Sequence, residues 1–391
     1  MTASTWDDDT LDRFRKVGDP LADDVVRDIF DSGQVDAVRQ LLRHLVRNDH
    51  PLVVSPDRTL PPELLAHVER YFAASDAALP SLDGAQIDAG ERMFELHGPE
   101  VLMVLGCYSL PASYTARKGV QVLAQTGRLE SDPKRRLIET TQMVVDVMSE
   151  GGLSLGADAR THGEGVRAAQ KVRLMHAAVR RMILHHHGEA WLAQWDVPIN
   201  QEDLAGTLMT FTQVVLDGLD RLGAELTPPQ RSAYLYAWSA VARIVGVDDA
   251  LIPADLAAAR VLTDRIKARQ SARSEAGDVM AAALLTMMRD ELRLGWLRGL
   301  PPTLMRFFLR QDARYLAIPR RDWTAVLVAA IHGMTRVLDR VVGSNRVSRS
   351  LYRNFTRRLL SELLTVEVGP TRPNFDIPDH LARRWQLPAR S

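Results

Sequence analysis

Hydrophobic residues recur every three or four positions along most of this chain, which is the spacing of one face of an α-helix. Alternating strand patterns and Asn-Gly hairpin turns are almost absent. The clearest helical segment is "NQEDLAGTLMTFTQVVLDGLDRLG". Asn200 is its predicted N-cap, Glu202 and Asp203 suit the positive end of the helix, and Gly223 is its predicted left-handed C-cap.

The same periodicity predicts helices on both sides of this segment. In "TPPQRSAYLYAWSAVARIVG", Thr227 is the predicted N-cap and Pro228 the first helical residue. Helices are also predicted for "DPLADDVVRDIFDSG", "VDAVRQLLRHLVRN", "PPELLAHVERYFAAS", "PADLAAARVLTDRIKARQ", "EAGDVMAAALLTMMRDEL", "RDWTAVLVAAIHGMTRVLDRVVG" and "VSRSLYRNFTRRLLSELLTVEVG".

Two Gly-rich segments, "LPSLDGAQIDAG" and "EGGLSLGADARTHGEG", are predicted to be loops. Neither resembles an inter-domain linker, and no repeat of fixed period is present. We therefore expect a single all-α domain over residues 21–369. A polar N-terminal tip at 1–20 precedes it, and a Pro-rich tail at 370–391 follows it.

Composition narrows the function classes. The 391 residues are 46% hydrophobic, as in a globular protein with a substantial core. Lys+Arg and Asp+Glu both number 49, so the charge predicts no nucleic-acid surface. The N-terminus has no secretory pattern, and the apolar runs are shorter than the roughly 18 residues that span a bilayer, which together favour a cytoplasmic protein. Cys107, the single cysteine, is interpreted as a small core residue.

Several common catalytic motifs are missing. The chain contains no phosphate loop, dinucleotide fingerprint, H-E-x-x-H zinc motif or G-x-S-x-G elbow. It also lacks the paired Glu-x-x-His motifs of di-iron bundles, and its acidic stretch "WDDDT" has no second acidic motif. The candidate chemistry therefore rests on histidines.

Four of the 11 histidines lie in "RLMHAAVRRMILHHH". Helical spacing places His176 on an apolar face, with Arg173 and Arg180 along one edge of that face. Two interpretations remain open for His176: a buried structural histidine, or an axial ligand of a porphyrin iron whose propionates pair with the two arginines. His332 is the competing ligand candidate.

The three consecutive histidines, His185, His186 and His187, point in directions about 100° apart on a helix. They therefore cannot converge on one metal ion while helical. Because they precede Gly188, they are interpreted as a helix terminus.

The preceding predicted helix, "DPKRRLIETTQMVVDVM", starts after Asp132. Arg136 and Thr140 share a face above an apolar stripe, with Glu139 at its edge. The polar residues of this first part of the helix either line an apolar pocket or are exposed to solvent. Thr207, in "DLAGTLMTF", likewise either lines a pocket or bonds back to its own helix backbone.

Taken together, "RRLIETTQMVVDVM", the second Gly-rich loop, "VRLMHAAVR", "VPINQEDLAGTLMTF" and "DGLDRLG" resemble the helical haem oxygenases of the latex-clearing-protein type. The fungal oxygenases of mycophenolic-acid biosynthesis belong to the same broad family. The resemblance covers roughly residues 61–246 and is weaker in the C-terminal helices. The histidine helix followed by the "PxnQeD" helix is more specific than either half alone.

The resemblance implies a single globin-like helical bundle that encloses a b-type haem, with His176 as the proximal iron ligand. Arg136 and Thr140 match distal-pocket positions, and Thr207 matches a further pocket threonine. Glu139 stands where rubber-cleaving members carry a lysine that can occupy the sixth iron position. Glu130 and Glu139 are the candidates for the family's distal base.

The implied function is a haem b-dependent oxygenase that uses O2 on an apolar, isoprenoid-like alkene; related members cleave a C=C bond. The absence of an export signal favours a terpenoid, prenylated or lipid substrate over polymeric rubber. Two alternatives remain open: a haem protein without oxygenase activity, such as a sensor, carrier or weak peroxidase, and a helical interaction protein without cofactor.

Overall fold

The computed structural model describes residues 6–31, 62–126, 133–156, 161–291 and 298–319. The secondary structure of these residues is helical, with one isolated β-bridge between Ala116 and Ser271, so the predicted all-α class is confirmed. The predicted helix "VDAVRQLLRHLVRN", the last two predicted helices and the Pro-rich tail lie outside the described residues.

The described helices, in chain order, are α1 (Asp8–Phe14), α2 (Pro20–Asp31), α3 (Pro62–Ala77), α4 (Gly84–Val104), α5 (Leu110–Tyr114), α6 (Val120–Gln125), α7 (Pro133–Met148), α8 (Glu164–Trp195), α9 (Gln201–Phe211), α10 (Gln213–Leu222), α11 (Pro228–Val245), α12 (Leu256–Gln270), α13 (Glu275–Glu291) and α14 (Leu300–Leu309). A π-helical turn, Leu105–Ser109, joins α4 to α5. Among the described helices, none is long and apolar enough to cross a membrane.

The predicted caps are confirmed. The Asn200 side chain accepts a hydrogen bond from the Asp203 backbone N–H at the start of α9. Thr227 and Gln230 form a reciprocal capping box at the start of α11. Gly223 closes α10 in the left-handed conformation with φ of 77°.

Two boundary predictions were wrong. The segment from Asn200 to Gly223 forms two helices, because Thr212 leaves the helical path (φ −112°, ψ −87°) while its hydroxyl donates to the Leu208 carbonyl. The first Gly-rich segment is largely helical, since Asp83 caps α4. Gly90 lies within α4 at its contact with α11. A Cβ at this position would sit only 2.8 Å from the Ala233 carbonyl oxygen of α11, so the contact requires glycine.

The main core forms where α4 and α11 pack together and α9, α10 and α12–α14 close around them. Phe94, Tyr234 and Trp238 are among its largest fully buried side chains. A second apolar cluster joins α2, α3 and α8 through residues such as Val26, Tyr71 and Leu174. The α8 helix therefore separates the main core from an outer layer formed by α2 and α3.

Residues 1–20, predicted to be a polar tip, pack against this body where they are described. Leu11 of α1 is fully buried, and Arg15 is 2% exposed. The hydrophobic pattern of α1 is too short to predict this contact. The contact also depends on the ion pairs of Arg15, which are described below.

The α7 and α8 helices approach closely at the loop that joins them. Gly165 stands in the first turn of α8, and a Cβ there would lie 2.5 Å from the Val147 Cα of α7. Glycine is therefore required at this position. The close approach makes α7 and α8 neighbouring walls of the cavity described next.

Cys107 lies in the π-helical turn and is 3% exposed. Burial raises the pKa of Cys107 to about 12, so the thiol stays protonated at pH 8 and lacks the reactive thiolate. We expect no reaction with Ellman's reagent in the native protein and one thiol per chain after denaturation in guanidinium. Stoichiometric labelling of native protein at pH 8 would contradict this expectation.

Candidate active site: an apolar cavity beside His176

A cavity of about 650 Å³ lies between the His176 face of α8 and helices α4–α7, α9, α11 and α12. Its volume falls in the range of roughly 300–1,000 Å³ typical of pockets that bury a small molecule. Aliphatic and aromatic side chains form most of the wall, including Leu102, Met143, Val144, Leu208 and Trp238. The π-helical turn contributes Leu105, Gly106 and Ser109.

The predicted apolar face of α8 is the face that lines this cavity. Val172, His176, Val179 and Ile183 all contribute to the wall. These positions are related by steps of three and four residues, so one side of the helix carries them. The structure thus places His176, half-buried, in the wall of this cavity.

Two of the predicted pocket threonines line the same cavity from other helices. Thr140 lies on α7, and Thr207 lies on α9. Arg136 and Glu139 belong to the first two turns of α7, but their side chains lie outside the described residues. Glu130 and His332 also lie outside them, so their predicted roles stay predictions.

The hydroxyl of Thr207 bonds back to its own helix. Thr207 Oγ1 donates to the Asp203 carbonyl at 2.8 Å, and Thr210 Oγ1 donates to the Thr207 carbonyl at 2.7 Å. Both alternatives weighed from the sequence therefore hold at once for Thr207. In this rotamer its hydroxyl offers the cavity an acceptor lone pair rather than a donor.

Arg173 and Arg180 face away from the cavity, contrary to the expectation that they flank a cofactor. Arg173 donates from Nε and Nη2 to the two carboxylate oxygens of Asp19, at 2.6 and 2.7 Å. Arg180 Nε donates to Asp23 at 2.8 Å. The sequence places both arginines on one edge of α8, but α2 rather than the cavity covers that edge.

The three consecutive histidines are exposed, and α8 continues beyond them to Trp195. Gly188 leaves the helical geometry with φ of 51° and ψ of −134°, so the helical segment that carries the histidines ends there, as predicted, and a second segment of α8 follows this kink. His186 and His187 contribute to the cavity wall from this end of α8. They are wall residues that the sequence did not suggest.

A buried ionic cluster borders the cavity at the start of α9. Glu202 is fully buried, and its carboxylate accepts hydrogen bonds from Arg15, Arg269 and Gln270 at 3.1, 2.8 and 2.9 Å. Asp203 Oδ1 accepts from the same Arg15 Nη1 at 3.0 Å. The sequence pattern indicates these two acids only as residues that favour a helix start.

The acids of this cluster differ in pKa. Burial raises the pKa of Asp203, although the nearby Arg15 guanidinium acts in the opposite direction. For Asp196, burial is outweighed by hydrogen bonds from Lys118 and Arg15, which lower its pKa. Arg15 thus connects the end of α1 to the wall of the cavity through Glu202 and Asp203.

The donor set of the cavity suits a cofactor that brings most of its own metal ligands. Among the described residues, no group of three or more His, Cys, Asp or Glu side chains is arranged to hold a bare metal ion. A macrocyclic iron needs only one or two protein ligands, and His176 supplies an imidazole in a mostly apolar wall. The residues therefore fit a haem-type group.

Comparison with known proteins identifies the family of this chain. Residues 94–311 match the family model described as "ER-bound oxygenase mpaB/B'/Rubber oxygenase, catalytic domain". The chain belongs to this family of oxygenases. The matched region contains Thr140, His176 and Thr207, and it extends beyond Gly246 through α12, α13 and α14.

Two individual relatives support the assignment. The chain is 28% identical over 298 residues to the rubber oxygenase of Streptomyces sp. (strain K30), covering 75% of this chain and 68% of that protein. A solved structure titled "Structure of Latex Clearing Protein LCP in the closed state" matches with a TM-score of 0.64. It is 22% identical and covers 96% of this chain and 91% of its own, so the fold is shared.

Proposed function

We propose that this oxygenase binds haem b through His176 and uses dioxygen to oxidise a C=C bond of an apolar, isoprenoid-like alkene. The observation that carries the proposal is the position of His176 in the wall of a mostly apolar cavity of about 650 Å³. An imidazole on an apolar helix face within a mostly apolar wall suits an iron macrocycle and an apolar substrate together.

When bound, the haem would supply an iron centre that activates dioxygen. His176 would hold that centre and tune it from one side. Arg173 and Arg180 pair with Asp19 and Asp23 on the side of α8 away from the cavity, so the haem's carboxylates would need other partners. Lys171 and Lys267 are the lysine side chains that reach the described cavity wall, and we assign the charge compensation to them. Lys267 also pairs with Asp312 at 2.7 Å.

The remaining wall residues exclude water and orient the substrate. Met143, Val144 and Leu208 present apolar surface from α7 and α9. Thr140 and Thr207 place hydroxyl groups among them. A mostly apolar wall with a few fixed polar atoms favours a hydrocarbon chain and fixes its position relative to the reactive centre.

The names of the relatives favour the isoprenoid class. The Streptomyces relative is a rubber oxygenase, and the structural neighbour is a latex clearing protein. Rubber is an isoprenoid polymer with repeated trisubstituted C=C bonds. An isoprenoid alkene is therefore our proposed substrate class for this chain.

The proposal is tested with the full-length protein, loaded with hemin and reduced. We expect a Soret band, rapid uptake of CO by the ferrous form, and carbonyl products from squalene and O2, detected as hydrazones. Squalane has the same carbon skeleton without double bonds, so it is the matched control and should give no carbonyl product.

Two results would contradict the proposal. A six-coordinate ferrous spectrum that resists CO, without carbonyl product, would indicate a haem protein that is not an oxygenase. Failure to bind hemin at all would favour a different cofactor in this cavity.

A further inference from the structure

The outer side of α8 is held by two buried ion pairs placed on either side of His176. Arg173, three residues before His176, makes the two-bond contact with Asp19. Arg180, four residues after it, pairs with Asp23. All four side chains are less than one-third exposed, and those of Asp19 and Arg180 are 4% and 3% exposed.

The two carboxylates form one rigid unit at the start of α2. The Asp19 backbone N–H donates to Asp23 Oδ2 at 2.9 Å, which joins the two acids directly. Apolar packing of Val26 and Ile29 against Leu174 fixes α2 on α8. The position of both carboxylates is thus set independently of the cavity.

The helix geometry links these pairs to the orientation of His176. Arg173 and Arg180 lie about 40–60° around the α8 axis from His176, on the side away from Val172 and Val179. His176 therefore occupies the border between the cavity wall and the α2 contact. A rotation of α8 by a fraction of that angle would turn the imidazole out of the cavity.

Arg180 also fixes a second part of the cavity wall. Its Nη1 donates to the carbonyls of Pro198 and Ile199, at 3.2 and 2.7 Å. Ile199 lines the cavity and has a left-handed backbone with φ of 51°, which is unfavourable for a β-branched residue. Arg180 thus joins α2, α8 and this strained loop.

We propose that Asp19 and Asp23 are positioning residues that hold α8 in the rotation presenting His176 to the cofactor. The inference rests on the proposed role of His176 as iron ligand. Both acids lie outside the region that matches the family's catalytic domain. Under this proposal, the orientation of His176 within that domain depends on contacts made by residues that precede it.

The test compares three variants of the full-length protein: Asp19→Asn, Asp23→Asn and Asp31→Asn. Asp31 and Arg181 form a pair between the same two helices at 3.3 Å, with side chains 63% and 40% exposed, so Asp31→Asn is the matched control. We expect the first two variants to weaken hemin binding about tenfold or more, as loss of supporting contacts around a metal ligand typically does. Their ferric Soret band should also shift, whereas the control should bind like wild type.

Loss of a buried carboxylate also leaves an unpaired arginine, which by itself destabilises the fold. The double variant Asp19→Asn/Arg173→Gln separates the two effects because it removes that unpaired charge. We expect its urea unfolding midpoint to recover while its hemin affinity and Soret position stay altered. Recovery of hemin binding together with the midpoint would overturn the inference, as would single variants that bind hemin like wild type.

The proposed function fails on a different result. If His176→Ala retains hemin with an unchanged spectrum, His176 is not the ligand, whatever the α2 variants show. If His176→Ala loses hemin and the Asp19 and Asp23 variants do not, only the positioning inference is overturned.

Discussion

Replacing His176 with alanine should abolish the Soret band of the hemin-loaded protein. The substitution removes the His176 imidazole from the cavity wall, so the variant lacks the proposed iron ligand and would hold the macrocycle mainly by packing. We expect hemin affinity, measured by absorbance titration, to fall by about 100-fold, the upper end of losses seen for groups that support a metal. Free imidazole added to His176→Ala should restore much of the spectrum, because the vacated space adjoins the cavity.

The controls for this variant are other histidines. His186 and His187 reach the same cavity from exposed positions, so His186→Ala and His187→Ala should retain the Soret band. His332→Ala addresses the competing ligand candidate. Loss of the band in His332→Ala together with retention in His176→Ala would assign the ligand to His332 instead.

Replacing Arg15 with glutamine should be among the most destabilising single changes in the chain. Arg15 is 2% exposed and donates to Asp196, Glu202 and Asp203. Removing one partner of a buried ion pair typically costs about 3–5 kcal/mol, because the remaining charges are left uncompensated. We expect a decrease of that size in the free energy of unfolding, measured by urea denaturation at pH 8.

The deficit of Arg15→Gln should shrink as the pH falls from 8 toward the ordinary pKa of an aspartate. Burial already raises the pKa of Asp203, and loss of the Arg15 charge will raise it further. When the folded-state pKa of a carboxyl lies above its unfolded value, the free energy of unfolding of the protein decreases as the pH rises through the folded-state pKa. The variant is therefore most impaired at high pH, where the acids are forced to ionise beside one another.

The matched control is Arg243→Gln. Arg243 pairs with Asp249 at 2.8 Å, but their side chains are 36% and 80% exposed. Such a surface pair contributes less than about 1 kcal/mol. An Arg15→Gln protein as stable as Arg243→Gln, or a deficit independent of pH, would show that the Arg15 cluster does not stabilise the fold in this way.

The sequence predicted the fold class and the caps because both depend on interactions within a few residues. Asn200, Thr227 and Gly223 act on backbone groups of their own turns, and their roles are confirmed. The side of α8 that carries His176 was equally predictable, since a 3.6-residue period fixes which side chains share a face. The placement of His176 beside Thr140 and Thr207 required the family resemblance as well.

The errors occurred where contacts between distant segments outweighed local signals. Gly90 is suited to a loop by type, but the approach of α11 requires it inside α4. Thr212 lies in a well-patterned helix, yet it breaks that helix in a fully buried position. Propensity differences of less than about 1 kcal/mol per residue are readily overridden by such packing.

The sequence by itself therefore determined an all-α chain, the capped ends of its central helices and a helix face that carries one histidine among apolar residues. Only the tertiary structure decided what covers each side of that helix. It placed the cavity against Val172, His176 and Val179, and it placed Asp19 and Asp23 against Arg173 and Arg180. The acids lie more than 150 residues from the arginines they bind. A helical period gives the angle between side chains, but the partner on each side depends on how the whole chain packs.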